Sequence, residues 1–207
     1  MGYAITWCAV REVAADQLLS HLGLAATGET GEAPESRFST ARLTTGWRLI
    51  WSSRYGCPIL TKGIPAFSGG HEVVLCQIEE HVMASSAELW VSGNREWWIS
   101  HDGEDGPKGL DTEGRLPQCF ASIREEMEDV QRAEGGDDAD VDYIFEIPLK
   151  VSQTVVGFKH DETYESIVQG SFMVLSGRRG GKSFLSRLLA AVPRWPGTSA
   201  QLCRVAR

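Results

Sequence analysis

Ser176-Gly177-Arg178-Arg179-Gly180-Gly181-Lys182-Ser183 is the stretch whose residue types come nearest to a defined chemistry. A phosphate-binding loop reads G-x-x-x-x-G-K-[ST]. Its backbone N–H groups turn onto phosphate oxygens, its Lys reaches the outer phosphates and its hydroxyl holds magnesium. Gly181, Lys182 and Ser183 supply the end of that pattern and are the candidate nucleotide-binding residues; Ser176 stands where the first Gly belongs. Only 24 residues follow Ser183, too few for the remaining parallel strands and an acidic strand end. The acidic partner would have to come from upstream, at Val73 to Glu80, in a permuted order. The competing reading is a basic linker ahead of a terminal amphipathic helix, and it is the expectation adopted.

Two His-Asp doublets, His101-Asp102 and His160-Asp161, are the candidate metal ligands for a hydrolase. A metal site needs several convergent N and O donors, and the spacing alone does not show convergence. Asp138, Asp140, Asp142 and Glu146 alternate like a calcium loop, but lack its turn Gly and carry the Glu too early. Neither a nucleophile-elbow sequence nor a flanked catalytic Cys is present. The five cysteines, at 8, 57, 76, 119 and 203, include no C-x-x-C pair. Structural thiols in a reducing, cytoplasmic compartment are expected, with no catalytic residues and no cofactor.

Charge is the stronger signal. The net charge is −8, yet residues 100–146 alone hold 15 acids and 4 bases. Residues 166–207 hold seven bases and no acid. Such asymmetry marks interaction surfaces. The basic tail either folds back on the acidic segment, or each faces its own partner: a basic protein for the acids, an anionic surface for the tail. The candidate contact residues are Asp102, Glu104, Asp105, Glu125, Glu126, Glu128 and Asp129. Trp97 and Trp98 join them, because adjacent strand residues point to opposite faces and one of the two is available to a partner. A base-stacking role for the tryptophans is disfavoured, since only Arg48 and Arg95 lie near them.

The elements positioning these groups follow from periodicity. Tyr3 to Val10 and Gly46 to Ser53 read as strands, and Arg11 to Leu22 as a helix stopped by Gly23. Residues 25–40 read as a surface loop, and 56–70 as turn-rich. His71 to Ile78, Val82 to Val91 and Glu96 to Ser100 read as a β-meander with a Gly-Asn hairpin. Residues 101–116 read as a polar loop and Pro117 to Ala133 as an amphipathic helix. Asp142 to Ile147 reads as strand or extended, Pro148 to Val156 as a helix, Gly170 to Ser176 as a last strand and Lys182 to Val192 as a last helix. The expectation is an α+β fold with a mostly antiparallel sheet and flanking helices. It comprises an acidic domain over 1–165 and a basic extension over 166–207. No run reaches the length of a membrane span, and the first ten residues lack a signal-peptide pattern.

Two resemblances add to this reading. The Ser176–Ser183 stretch resembles the phosphate loop of viral DNA-packaging ATPases, over about a dozen residues, which implies nucleotide binding. Gly2 to Val10 (GYAITWCAV), Ser100 to Gly106 (SHDGEDG), Asp140 to Ile147 (DVDYIFEI) and Gly157 to Asp161 (GFKHD) resemble a group of small bacterial proteins with no assigned activity. In type they are similar to the immunity and accessory proteins of bacterial polymorphic-toxin systems. That resemblance implies a non-enzymatic binding protein, an immunity-type inhibitor whose acidic segment 102–142 covers a basic toxin domain. The alternatives are the nucleotide- or metal-dependent enzyme, and an adaptor whose basic tail docks on nucleic acid or membrane.

Overall fold

A computed structural model describes residues 2–177. Nine strands form one open sheet: β1 (Ala4–Arg11), β2 (Leu24–Gly31), β3 (Phe38–Arg42), β4 (Trp47–Ser52), β5 (Glu72–Glu79), β6 (Ala84–Val91), β7 (Asn94–His101), β8 (Leu110–Gly114) and β9 (Phe172–Gly177). Their order is β2-β9-β3-β4-β1-β5-β6-β7-β8, and every neighbouring pair is antiparallel. Four helices accompany it: α1 (Ala15–Leu22), α2 (Pro58–Phe67), α3 (Phe120–Ala133) and α4 (Glu146–Val156). The fold is α+β, as the sequence predicts, with an antiparallel meander whose strands β5 to β7 match the sequence reading and which β8 extends. No helix among the described residues is long and apolar enough to cross a membrane.

Strand alternation sorts the core into two faces. Ile5, Trp7, Ala9, Trp51, Val74, Cys76 and Ile78 point to one face, where Phe145, Leu149, Val156 and Phe158 cover them. Ala87, Trp97 and Ile99 continue that face beneath Phe120, Ile123 and Met127 of α3. Cys8, Val10, Ile50, Val73 and Leu75 point to the other face, under Leu18, Leu19 and Leu22 of α1 and Leu60 of α2. The second face thus has its apolar cover over the central strands. Farther out, the row Leu75, Glu88, Trp98, Glu113 passes from buried to exposed across β5 to β8.

Several segments differ from the sequence expectations, each for a tertiary reason. Residues 25–40 contain β2 and β3 rather than a loop. β2 is an edge strand with only Leu24 buried, so it shows no apolar alternation. The middle of β3 is the small residues Ser39, Thr40 and Ala41, with Thr40 donating to the Leu49 carbonyl at 2.7 Å. The turn-rich 56–70 contains α2, in which Pro58 opens the helix and Leu60 fixes it to the core. Within 101–116, a 3-10 turn (Gly103–Lys108) leads into β8. Asp142 to Ile147 is helical, not extended. Asp142 caps a 3-10 turn (Tyr143–Phe145) by accepting from the Ile144 N–H at 3.0 Å, and α4 begins at Glu146. Pro148 falls in the first turn, where a missing N–H costs nothing. The β6–β7 hairpin turns on Ser92 and Gly93, both at positive φ, one residue earlier than the Gly-Asn reading.

β9 lies between β2 and β3, and its Phe172 and Leu175 are buried in opposite faces. The described part of the 166–207 extension is therefore an inner strand of the domain's own sheet. The helix expected over Lys182 to Val192 lies outside the described residues.

Candidate functional site

The nucleotide-binding candidates Gly181, Lys182 and Ser183 lie outside the described residues. Ser176 and Gly177, at the start of that motif, are strand residues in β9, and Ser176 pairs with Ala25.

The two His-Asp doublets are separated from one another in role. His101, at the end of β7, is fully buried and its Nε2 lies 2.9 Å from the Asp142 carboxylate. Its sequence neighbour Asp102 turns away to cap the 3-10 turn, accepting from the Glu104 N–H at 3.1 Å. His160 is also buried, with Nε2 3.1 Å from Glu80 and its ring edge-on to Tyr3. Glu80 accepts in turn from the Tyr3 N–H at 2.7 Å. Asp161 accepts from Lys159, which also contacts Glu146 at 3.1 Å. Among the described residues, no three His, Cys, Asp or Glu side chains are grouped so as to hold a metal ion. His101 and His160 thus tie distant segments together, Asp102 and Asp161 make local contacts two residues away, and the described residues do not bring the four together as a metal hydrolase needs. The physical reason is that each imidazole is already engaged by a carboxylate from another element.

The Lys159 cluster is held electrostatically. Burial pulls the Lys159 ammonium down, but Asp161 and Glu146 outweigh it and hold it above the usual lysine range. Burial likewise pushes Asp161 up, and Lys159 together with His160 brings it below the usual carboxylate range. Cys8 and Cys76 are pushed up to about 12, chiefly by burial, so neither is a thiolate near neutral pH.

The acidic segment contains β8 and is divided between two faces of the sheet rather than forming one surface. α3 lies on the covered face, and three of its four candidate acids are in ion pairs: Glu126 with Lys150 at 3.0 Å, Glu128 with Arg124 at 2.6 Å and Asp129 with Arg132 at 2.7 Å. Glu125 is exposed on the same helix. Asp102, Glu104 and Asp105 sit at the end of the sheet, where the 3-10 turn packs against Val82 and Met83 through Gly103. A cleft of about 540 Å³ opens there, its lining including His81, Met83, Gly106, Asp140 and Asp142.

The tryptophan pair divides as strand geometry requires. Trp97 is 3% exposed in the core beneath α3, so it is not a partner contact. Trp98 faces the other side, partly buried, with the Arg95 guanidinium 5.4 Å from its ring centroid. Arg95 also reaches Glu88 at 3.6 Å and pairs with Glu113. Burial pushes the Glu88 carboxyl above the usual carboxylate range, and Arg95 acts against that shift. Trp90, Ser86 and Ser100 are partly buried, and Asp111 is exposed. Register puts Ser86 opposite Ser100, Ser100 opposite Asp111, and Trp98 opposite Glu113. The result is a polar, aromatic face over β6 to β8 that continues into an acidic edge. Sequence reasoning missed Glu88, Asp111 and Glu113. The alternation in Glu88–Val91 and Glu96–Ser100 was a usable signal, but which face the helices leave bare was not. Comparison with family models, curated proteins and solved structures gives no match.

Proposed function

We propose that this protein is a non-enzymatic binding protein, an inhibitor of the immunity type, that covers a basic protein partner such as a toxin domain in the cytoplasm. The partner docks on the open face of β6 to β8. The observation that carries the reading is the row Glu88–Trp98–Glu113 with Arg95 across it, continuous with exposed Asp111. An aromatic anchor ringed by charge is the composition of an interface centre and its rim. The acids on this side supply steering toward a basic surface.

The test uses the full-length protein as bait in lysate of its host, at low and moderate salt. A stoichiometric basic protein is expected, lost with Trp98→Ala and with Asp111→Lys/Glu113→Lys. Reversal of Glu125, Glu126, Glu128 and Asp129 on α3 is expected to weaken capture less, because that helix lies on the other face. Retention that is indifferent to Trp98, Asp111 and Glu113 overturns the proposal, as does failure to retain any basic protein.

A further inference from the structure

The two edges of the sheet differ. On β2 the pairing slips between Ala26 and Thr30, and Gly28 takes a φ of 87°. Such a bulged, glycine-broken edge is poorly shaped for another strand. β8 pairs with β7 residue for residue from Leu110 to Gly114 without a slip. Which of its backbone groups face outward follows from the ladder. The Arg115 N–H donates to Glu96 at 2.8 Å and the Asp102 N–H to Gly109 at 3.0 Å. Antiparallel pairs alternate, so the hydrogen-bonded partners between these ends are Trp98 with Glu113 and Ser100 with Asp111. The N–H and C=O groups of Leu110 and Thr112 therefore point away from the sheet. Thr112 is exposed, and so are Asp111 and Glu113 on the open face beside it.

We infer that β8 accepts an extended basic strand from the partner protein, which adds to the sheet as a tenth strand through Leu110 and Thr112. The inference rests on the partner-binding reading above and specifies its mode. Main-chain hydrogen bonds supply affinity, and alternate side chains supply selectivity. Every second residue of the incoming strand lies beside Asp111 and Glu113, where Lys or Arg is favoured. A second copy of this chain is the disfavoured occupant. Pairing β8 with itself about Thr112 sets Asp111 opposite Glu113, like charge against like.

The probe is a capped seven-residue peptide of alternating Lys and Val, with three comparisons: a Pro-interrupted version, a Glu/Val version and one N-methylated at alternate residues. The readouts are affinity and backbone amide exchange in the full-length protein. Bound Lys/Val peptide is expected to slow exchange at Leu110 and Thr112 by about tenfold or more, with little change at Asp111 and Glu113, which are already paired. Thr112→Pro removes an outward donor without touching the inner ladder, as edge strands tolerate. It is expected to weaken the peptide about tenfold while leaving the thermal midpoint near that of the parent. Should that variant fold poorly, loss of binding by the N-methylated peptide carries the same test. Binding without protection at Leu110 and Thr112, or undiminished by N-methylation, is charge attraction alone and overturns strand addition while leaving the open-face reading standing. Equal binding of the Glu/Val peptide, or no binding of the Lys/Val peptide, also overturns it. Protection with the peptide, combined with partner capture that is indifferent to Trp98 but lost with Asp111→Lys/Glu113→Lys, would instead sink the Trp98-centred open-face docking alone.

Discussion

Lys159, 9% exposed, holds Glu146 on α4 and Asp161 in the following segment with one ammonium. Replacing it with Ala leaves two carboxylates facing each other. Lys159→Ala is expected to lower stability by about 2 kcal/mol in denaturant titration, the scale of lost charge-assisted hydrogen bonds. The shifts fix the pH window. Asp161 lies below its unfolded value, so its contribution is present above the ordinary carboxylate range and is lost as pH falls through the lowered folded value. Lys159 lies above its unfolded value, so its contribution is full below the ordinary lysine range and is lost as pH rises through the raised one. The parent should therefore lose more stability than Lys159→Ala at both acid and alkaline extremes; parallel pH curves would argue against the pairing. Asp142 does two tasks, holding His101 and capping the turn before α4. Asp142→Ala should cost about 2 kcal/mol or more, through a lost cap and a fully buried imidazole left unpaired. For the thiols, burial decides reactivity: alkylation of the folded protein should reach Cys119 well before Cys8, Cys57 or Cys76. Equal rates at Cys8 and Cys119 would contradict that burial.

At the scale of elements, β9 is the strand on which the distal part of the sheet depends. It bridges β2 and β3 and places Phe172 in one core and Leu175 in the other. A chain ending after Gly177 should retain a cooperative unfolding transition. One ending after Val168 should not, since it uncovers β3 and removes two buried apolar side chains, each worth about 2 kcal/mol in burial alone. Deleting everything after Val168 thus does not isolate the basic tail; the cut belongs after Gly177. Circular dichroism melts of the two truncations decide the point. The hairpin turn gives a smaller check on local geometry. Gly93 sits at a φ of 83°, so Gly93→Ala should cost about 1 kcal/mol.

At the scale of the whole molecule, the sheet separates the end of β9 from the acidic edge. Gly177 ends the strand next to the β2 edge, and β8 is the opposite edge, seven strand spacings away. That is about 34 Å, several Debye lengths at physiological salt. Removing residues 178–207 takes the net charge from −8 to −15. Charge held near Gly177 is screened at that distance, so capture of a basic partner by the 1–177 chain that changes by no more than about threefold at physiological salt would mean that residues 178–207 do not reach the acidic edge. A tenfold gain on deletion would mean that the tail competes for the acidic end. The sequence by itself determined the fold class, the central strands and the β5–β7 meander, because Tyr3 to Val10, Trp47 to Ser52 and Val73 to Ile78 bury most of their side chains, β6 and β7 bury alternate ones at Ser85, Ala87, Trp97 and Ile99, and the residue pattern records it. It also determined where helices stop, since Gly23 and Gly157 adopt the left-handed conformation that few other residues accept. The edge strands β2 and β8 left no such mark, because both of their faces are largely exposed and neither requires an apolar alternation. Only the tertiary structure decided which carboxylates meet His101 and His160, that the acidic helix and acidic edge lie on different faces, and that Trp98 rather than Trp97 reaches the surface. Those outcomes depend on contacts between residues 41, 80 and more positions apart, such as His101 with Asp142 and His160 with Glu80, and no local pattern encodes such a separation.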